Sequence, residues 1–226
     1  MDKKKIKRHN LVFISDEAKQ KILVDFKDNP DYQLLEELFE GPIDTPGFIR
    51  RPDSVIDNDC ISLGFVHSSR YNGKRFRFGV EILKKHAVAL LTPYDVFEQY
   101  IRKDVLDDAS YLYIYLKQIK DLAKVYNVKL GILGSISLEL ITGRSYTDEN
   151  SDIDLLVSPA PYETLQQFYK EANALNKTIN LDLEVDLPNG FGVKLTEVFM
   201  ETSMVLGKSL NEVKLLYRSE IEKFLV

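Results

Sequence analysis

From residue 179 to residue 187 the chain alternates without a break. Ile179, Leu181, Leu183, Val185 and Leu187 are apolar, and Asn180, Asp182, Glu184 and Asp186 are polar. Successive side chains of a strand leave on opposite faces, so this is a strand with one apolar and one acidic face. Such a strand suits only a sheet that packs one side on a core and leaves the other side wet. Pro188-Asn189-Gly190 then reads as a turn, and residues 191–195 as the return strand.

A second acidic strand lies upstream. Residues 129–133 form a short apolar run that ends at Gly134-Ser135. Ile136, Leu138, Leu140 and Ile141 mark a brief buried helix, closed by Gly143. After the polar turn 144–150 comes Asp152-Ile153-Asp154-Leu155-Leu156-Val157, where alternation sends both aspartates to one face. Two carboxylates so placed repel each other unless a cation sits between them, and oxygen-only ligands suit a hard ion such as magnesium. Gly134-Ser135 at a helix start offers backbone N–H groups and a hydroxyl to a phosphate.

A lone pair of aspartates is more often a solvated loop or a cap than a metal site. The order of elements is what changes the reading: strand, Gly-Ser, helix, paired-aspartate strand, helix, acidic strand. A third carboxylate from the neighbouring strand would complete a two-ion site of the kind that clamps attacking and leaving oxygens about 3.5–4 Å apart. Asp182 and Glu184 can each supply it. Asp186 reads as the wet side of its strand.

The remaining elements give an α+β chain. Residues 8–14 read as a strand or extended entry, and Ser15 caps a helix. Leu23, Phe26, Leu34, Leu35, Leu38 and Phe39 mark two helical faces, interrupted at Asn29-Pro30 and stopped at Gly41-Pro42. Residues 61–66 and 74–82 read as strands joined by a loop with Asn72-Gly73. Arg75 and Arg77 alternate with Phe76 and Phe78, so one face of the second strand is basic. Residues 1–91 thus form a small, mostly β module with helices, and residues 92–226 a second domain. In the latter, residues 107–128 and 161–175 have helical spacing. The tail is a hairpin of 204–208 and 212–217 followed by a short helix, or else a helix from Leu210; the hairpin is favoured.

The net charge of −5 provides no general attraction for nucleic acid or an anionic membrane, so neither is an expected partner. The single Cys60 excludes an internal disulfide and a cysteine metal cage. The lysine-rich start is followed by too few apolar residues for a signal-peptide core, and no apolar run approaches spanning length, so a cytoplasmic enzyme is expected. His9 reads as a structural histidine, His67 and His86 as surface residues, and Cys60 as inert.

Gly-Ser, a helix, two spaced aspartates and a third acid resemble the signature of the nucleotidyltransferase superfamily. Further matches are Arg8-His9-Asn10-Leu11, Arg50-Arg51, Pro93, Leu140-Ile141-Thr142-Gly143, Tyr146, Ser151, Asp182 to Glu184, Leu187 to Gly190, Gly192-Val193 and Glu197. In that order they resemble the phosphoribosyl-dephospho-CoA transferases, the holo-acyl-carrier-protein synthases of malonate decarboxylase. The likeness covers about residues 8–218. That family carries tryptophans where Leu138 and Leu195 stand here.

The resemblance implies a nucleotidyltransferase-type mixed sheet with flanking helices in residues 92–226. It implies transfer of a phosphoribosyl-dephospho-CoA group from triphosphoribosyl-dephospho-CoA to a serine of an apo acyl-carrier subunit of malonate decarboxylase, with release of diphosphate. Asp152, Asp154 and Asp182 would bind Mg2+, as two ions, and together with Glu184 would form the catalytic set, in which Asp182 or Glu184 activates the acceptor serine. Gly134, Ser135 and Ser151 would hold substrate phosphates. Arg50, Arg51, Arg75 and Arg77, and less so Arg70 and Lys74, would grip the donor's phosphates or the carrier's acidic surface, or else form a solvated strand face. The competing readings are a small-molecule adenylyltransferase and a non-catalytic binding module on the same core.

Overall fold

The computed structural model describes residues 6–71, 73–101, 111–148, 151–175 and 179–226. Among these residues the chain is α+β, with eight α-helices and two sheets. Met1–Lys5, Asn72, the expected helix start at 107–110 and residues 149–150 of the polar turn lie outside the described residues. The chain divides into two compact units, one of Met1–Thr92 with Leu138–Tyr146, the other of Pro93–Ser137 with Thr147–Val226.

The first unit holds β1 (Leu11–Ile14), α1 (Asp16–Asp25), α2 (Tyr32–Phe39), β2 (Gly47–Ile49), β3 (Cys60–Tyr71), β4 (Lys74–Leu83) and β5 (Ala87–Leu91). The strands make an antiparallel sheet of order β4-β3-β2-β1-β5. Alternate residues Ile61, Leu63 and Phe65 of β3 and Phe78 and Ile82 of β4 are buried. Phe39 meets Phe65 edge-on, ring centroids 4.9 Å apart, and Phe26 meets Phe78 likewise at 4.9 Å. These aromatic pairs seal both helices to the sheet, each beyond its area burial by about 0.5–1.5 kcal/mol.

Two histidines differ from expectation. His86 is buried beside the α1 N-cap, its Nδ1 3.1 Å from the Ser15 hydroxyl, which also accepts from the Ala18 N–H. His67 continues the inward-facing positions of β3 and is 2% exposed. Its Nδ1 accepts from the Ser69 N–H at 3.1 Å, and its Nε2 lies 3.3 Å from Glu37. Strand alternation overrode side-chain polarity at this position.

The second unit holds α3 (Pro93–Ile101), α4 (Tyr111–Val125), β6 (Leu130–Ile132), the start of α5 (Gly134–Thr142), β7 (Ile153–Val157), α6 (Tyr162–Leu175), β8 (Leu181–Asp186), β9 (Gly192–Lys194), α7 (Leu195–Val198), β10 (Met204–Lys208), β11 (Val213–Tyr217) and α8 (Arg218–Glu222). Its sheet runs β11-β10-β9-β8-β7-β6 and is mixed: only β7 and β8 are parallel. A parallel neighbour requires a crossover, which α6 provides. Ile153, Leu155, Val157, Leu181, Leu183, Val185 and Val193 form the buried face, each contributing about 1.5–3 kcal/mol where fully buried. Between α4 and α6, the Tyr115 hydroxyl donates to the Ala172 carbonyl at 2.5 Å. The tail is the hairpin β10–β11 followed by α8. No helix among the described residues is long and apolar enough to cross a membrane.

Candidate active site

The parallel pairing of β7 and β8 sets the centre of the site. Its register places Asp154 opposite Asp182, with Leu156 opposite Glu184 two pairs further on. Residues at matching register share a face, so the odd-numbered neighbours Ile153 and Leu181 go to the core while the carboxylates of residues 154 and 182 stand side by side. The apolar alternation of two strands therefore brings two like charges together.

The chain reaches α5 beside this pair. The Leu133 N–H donates to the Asp154 carbonyl at 2.9 Å, extending the β6–β7 ladder to the foot of the helix. Gly134 then turns with φ +63, in the left-handed region that side chains avoid. A Cβ here would also strike the Asp154 carboxylate. Two separate constraints thus demand glycine, and together they put the Asp154 carboxylate against the helix N-terminus. The buried Ser137 hydroxyl donates to the Gly134 carbonyl at 2.6 Å and ties the first turn down. Ser135 is half-exposed on that turn. First-turn amides have no acceptor within their own helix and favour an anion.

Lys194 completes the cluster. It lies on β9 opposite Glu184, and its Nζ stands 2.5 Å from Asp182 Oδ2. This hydrogen bond raises the Lys194 pKa, helped by the charges of Asp182, Glu184 and Asp154 and opposed by partial burial. Glu184 is 9% exposed, and its Oε2 overlies Gly192, where a Cβ would approach to 2.8 Å. Among the described residues no group of three or more His, Cys, Asp or Glu is arranged to hold a metal ion. Sequence reasoning missed Lys194. Counting back across the turn at 188–190 pairs residue 194 with residue 184, so the signal was present.

The family description "Phosphoribosyl-dephospho-CoA transferase MdcG C-terminal domain" matches residues 107–219, half of the chain. The chain belongs to the phosphoribosyl-dephospho-CoA transferase family. No curated protein and no solved structure matches it. The membership makes the chain a transferase, and the matched span includes Gly134, Ser135, Asp152, Asp154, Asp182, Glu184 and Lys194.

The other expected residues of this family member have the following places. Asp152 is exposed, one residue before β7. The Ser151 hydroxyl accepts from the Asp148 N–H at 2.8 Å and lies 3.2 Å from Asp148 Oδ1, which closes the loop before β7. Glu197 accepts from the Leu206 N–H at 2.9 Å and joins α7 to β10. Burial, and secondarily Asp186, push the Tyr94 phenol pKa well up.

Arg50, Arg51, Arg75 and Arg77 belong to the first unit. Arg50 lies over the cross-strand pair Gly64 and Gly79, where a Cβ at 79 would come within 2.6 Å of its Nη1, and its Nη2 donates to Asp53 at 2.6 Å. Arg75 donates to the Ser68 carbonyl and stands over the Tyr146 ring, 5.5 Å from its centroid. Arg51 and Arg77 are exposed. His9 accepts from Arg8 Nε at 2.9 Å.

Proposed function

We propose that the chain transfers the phosphoribosyl-dephospho-CoA group of triphosphoribosyl-dephospho-CoA to a serine of the apo acyl-carrier subunit of malonate decarboxylase, on a nucleotidyltransferase-type core. The observation that carries this is the pairing of Asp154 with Asp182 on adjacent strands, against the N-terminus of α5 and with an ammonium ion already drawn to it. Family membership supports the phosphoribosyl-dephospho-CoA group as the one transferred.

The ligand chemistry suits magnesium, although among the described residues no three acids stand as a ready metal cage. Asp152, Asp154 and Asp182 offer only carboxylate oxygens, and the Lys194 ammonium marks where a cation is favoured. When bound there, magnesium would neutralise charge on the donor's phosphate chain. The chain's own groups do the rest. The Gly134 and Ser135 amides and the Ser135 hydroxyl hold the departing phosphates at the positive helix end, where charge grows as diphosphate leaves. The acceptor serine oxygen forms the new P–O bond as the bond to diphosphate breaks. Its proton passes to a carboxylate of β8, from Asp182 or Glu184. The guanidinium forks of Arg51 and Arg77, which are exposed, and of Arg50 and Arg75 suit the donor's phosphates or the carrier's acidic surface.

A mass-spectrometric assay tests this. The protein, magnesium, the donor and an apo acyl-carrier subunit should together yield the prosthetic-group mass on one serine. Transfer from ATP instead, or no added mass at all, would refute the proposal.

A further inference from the structure

The sheet of the second unit ends differently at its two edges. At one, α3 packs against β6, with Pro93 and Tyr94 close over Gly131. At the other, β11 has no further strand beside it among the described residues. The β10–β11 ladder is flanked by two bonds, Arg218 N–H to the Ser203 carbonyl and Ser209 N–H to the Glu212 carbonyl. Bonded pairs alternate in an antiparallel ladder, so the even-numbered residues of β11 bond to β10. The N–H and C=O of Val213 and Leu215, and the N–H of Tyr217, therefore point outward and meet no partner among the described residues. The side chains of the same residues are apolar and open to water. Val213 is 42% exposed, Leu215 59% and Tyr217 56%, with Leu206 at 36% across the hairpin. An open edge carrying an apolar row is a template for another strand. Such edges are commonly screened by lysine, but Lys214, the one charge within β11, lies over the Phe191 ring on the opposite face.

We infer that β11 pairs antiparallel with β11 of a second copy of this chain, about a two-fold axis at Leu215, and so joins two six-stranded sheets into one. The residues select this register. Leu215 meets the partner's Leu215 and Val213 meets the partner's Tyr217, so outward backbone groups and apolar side chains are matched together. Arg218, whose Nε and Nη2 are shielded from water and bond to nothing among the described residues, then faces the partner's Glu212. The pairing brings a carboxylate to a guanidinium that lacks one. A two-fold at Lys214 would set lysine against lysine, and one at Leu216 would set Lys214 against Arg218. Paired residues share a face, so both copies present Asp182 and Lys194 on the same side of the joined sheet. The pairing does not depend on the transfer chemistry proposed above.

Sedimentation velocity of the full-length protein over a concentration series tests the association. The wild type should approach twice the chain mass. Leu215→Lys, which opposes two like charges at the axis, should remain at one chain mass. Circular dichroism checks that the variant folds. Crosslinking tests the register, and serves if Leu215→Lys does not fold. Residues paired across the axis have Cα atoms about 5.5 Å apart, within reach of a disulfide. With Cys60→Ser removing the one native thiol, Leu215→Cys should oxidise to a covalent dimer. Lys214→Cys, set against the partner's Leu216, should stay a single chain under the same oxidant. A wild type that remains at one chain mass throughout, a dimer that survives in folded Leu215→Lys, or equal crosslinking at 214 and 215 would each overturn the inference.

Discussion

The two sheets treat charge in opposite ways. In the first, each half-buried arginine has a local outlet: Arg50 lies over two glycines and reaches Asp53, and Arg75 meets a carbonyl and the face of Tyr146. In the second, carboxylates on parallel neighbours face one another and share one lysine. The first pattern makes a stable surface. The second places like charges together, an arrangement that costs stability and is useful only if something cationic binds. On the proposed function, the first set of charges serves the scaffold and the second serves chemistry.

The comparison breaks most clearly at Asp154. Asp154→Ala should lower the transfer rate by about a hundred- to a thousandfold, the scale of one lost transition-state electrostatic contact. The melting temperature should hold or rise, because a like-charged neighbour is removed. A variant with wild-type rates, or one that unfolds, would erase the distinction between the sheets. Gly134→Ala comes next. Left-handed backbone alone costs a non-glycine residue about 1–2 kcal/mol, and the clash with Asp154 adds to that. Thermal melts should show the loss, with a fall in transfer rate beside it.

Within the first sheet, Arg75 and Arg77 should part company. Arg75→Ala should cost about 0.5–1 kcal/mol of stability through the lost contact with Tyr146. Arg77→Ala, on an exposed side chain, should leave stability unchanged and raise the Michaelis constant for donor or carrier. Equal behaviour of the two in urea titrations and kinetics would mean that burial does not sort these arginines.

The smallest effect concerns His67. Burial lowers its pKa below the usual 6.5, with Arg144 acting the same way and Glu37 opposing. The unfolded chain therefore takes up a proton before the folded one. The stability contribution is complete above about 6.5 and is lost as pH falls through the depressed folded value. His67→Gln should flatten that part of the stability–pH curve, and an unchanged curve would contradict the assignment.

Much of the second sheet was legible because period-two alternation is a strong signal where one face is buried. The strand at 181–186 and the place of Asp154 on β7 follow from it, whereas the Gly134 turn was read from Gly-Ser at the end of an apolar run and the terminal hairpin was only favoured over a helix. Lys194 was not read, because a single lysine on a three-residue strand carries no periodicity and acquires meaning only through its partner across the turn. Polarity misplaced His67 and His86, since an imidazole whose ring nitrogen finds a neighbouring group can be buried. The basic face of β4 was visible as a pattern, but nothing in the pattern revealed that Tyr146, far along the chain, would meet Arg75.

The crossover through α6 has one more consequence. Hairpins such as β8–β9 and β10–β11 can close locally, whereas Asp154 and Asp182 meet only when the chain has looped back to set β8 beside β7. Long-range parallel pairing of this kind forms late. A partly assembled chain can therefore own most of its strands and still lack the pairing of Asp154 with Asp182, so protection of the β7–β8 amides from hydrogen exchange during refolding would time the last step of assembly.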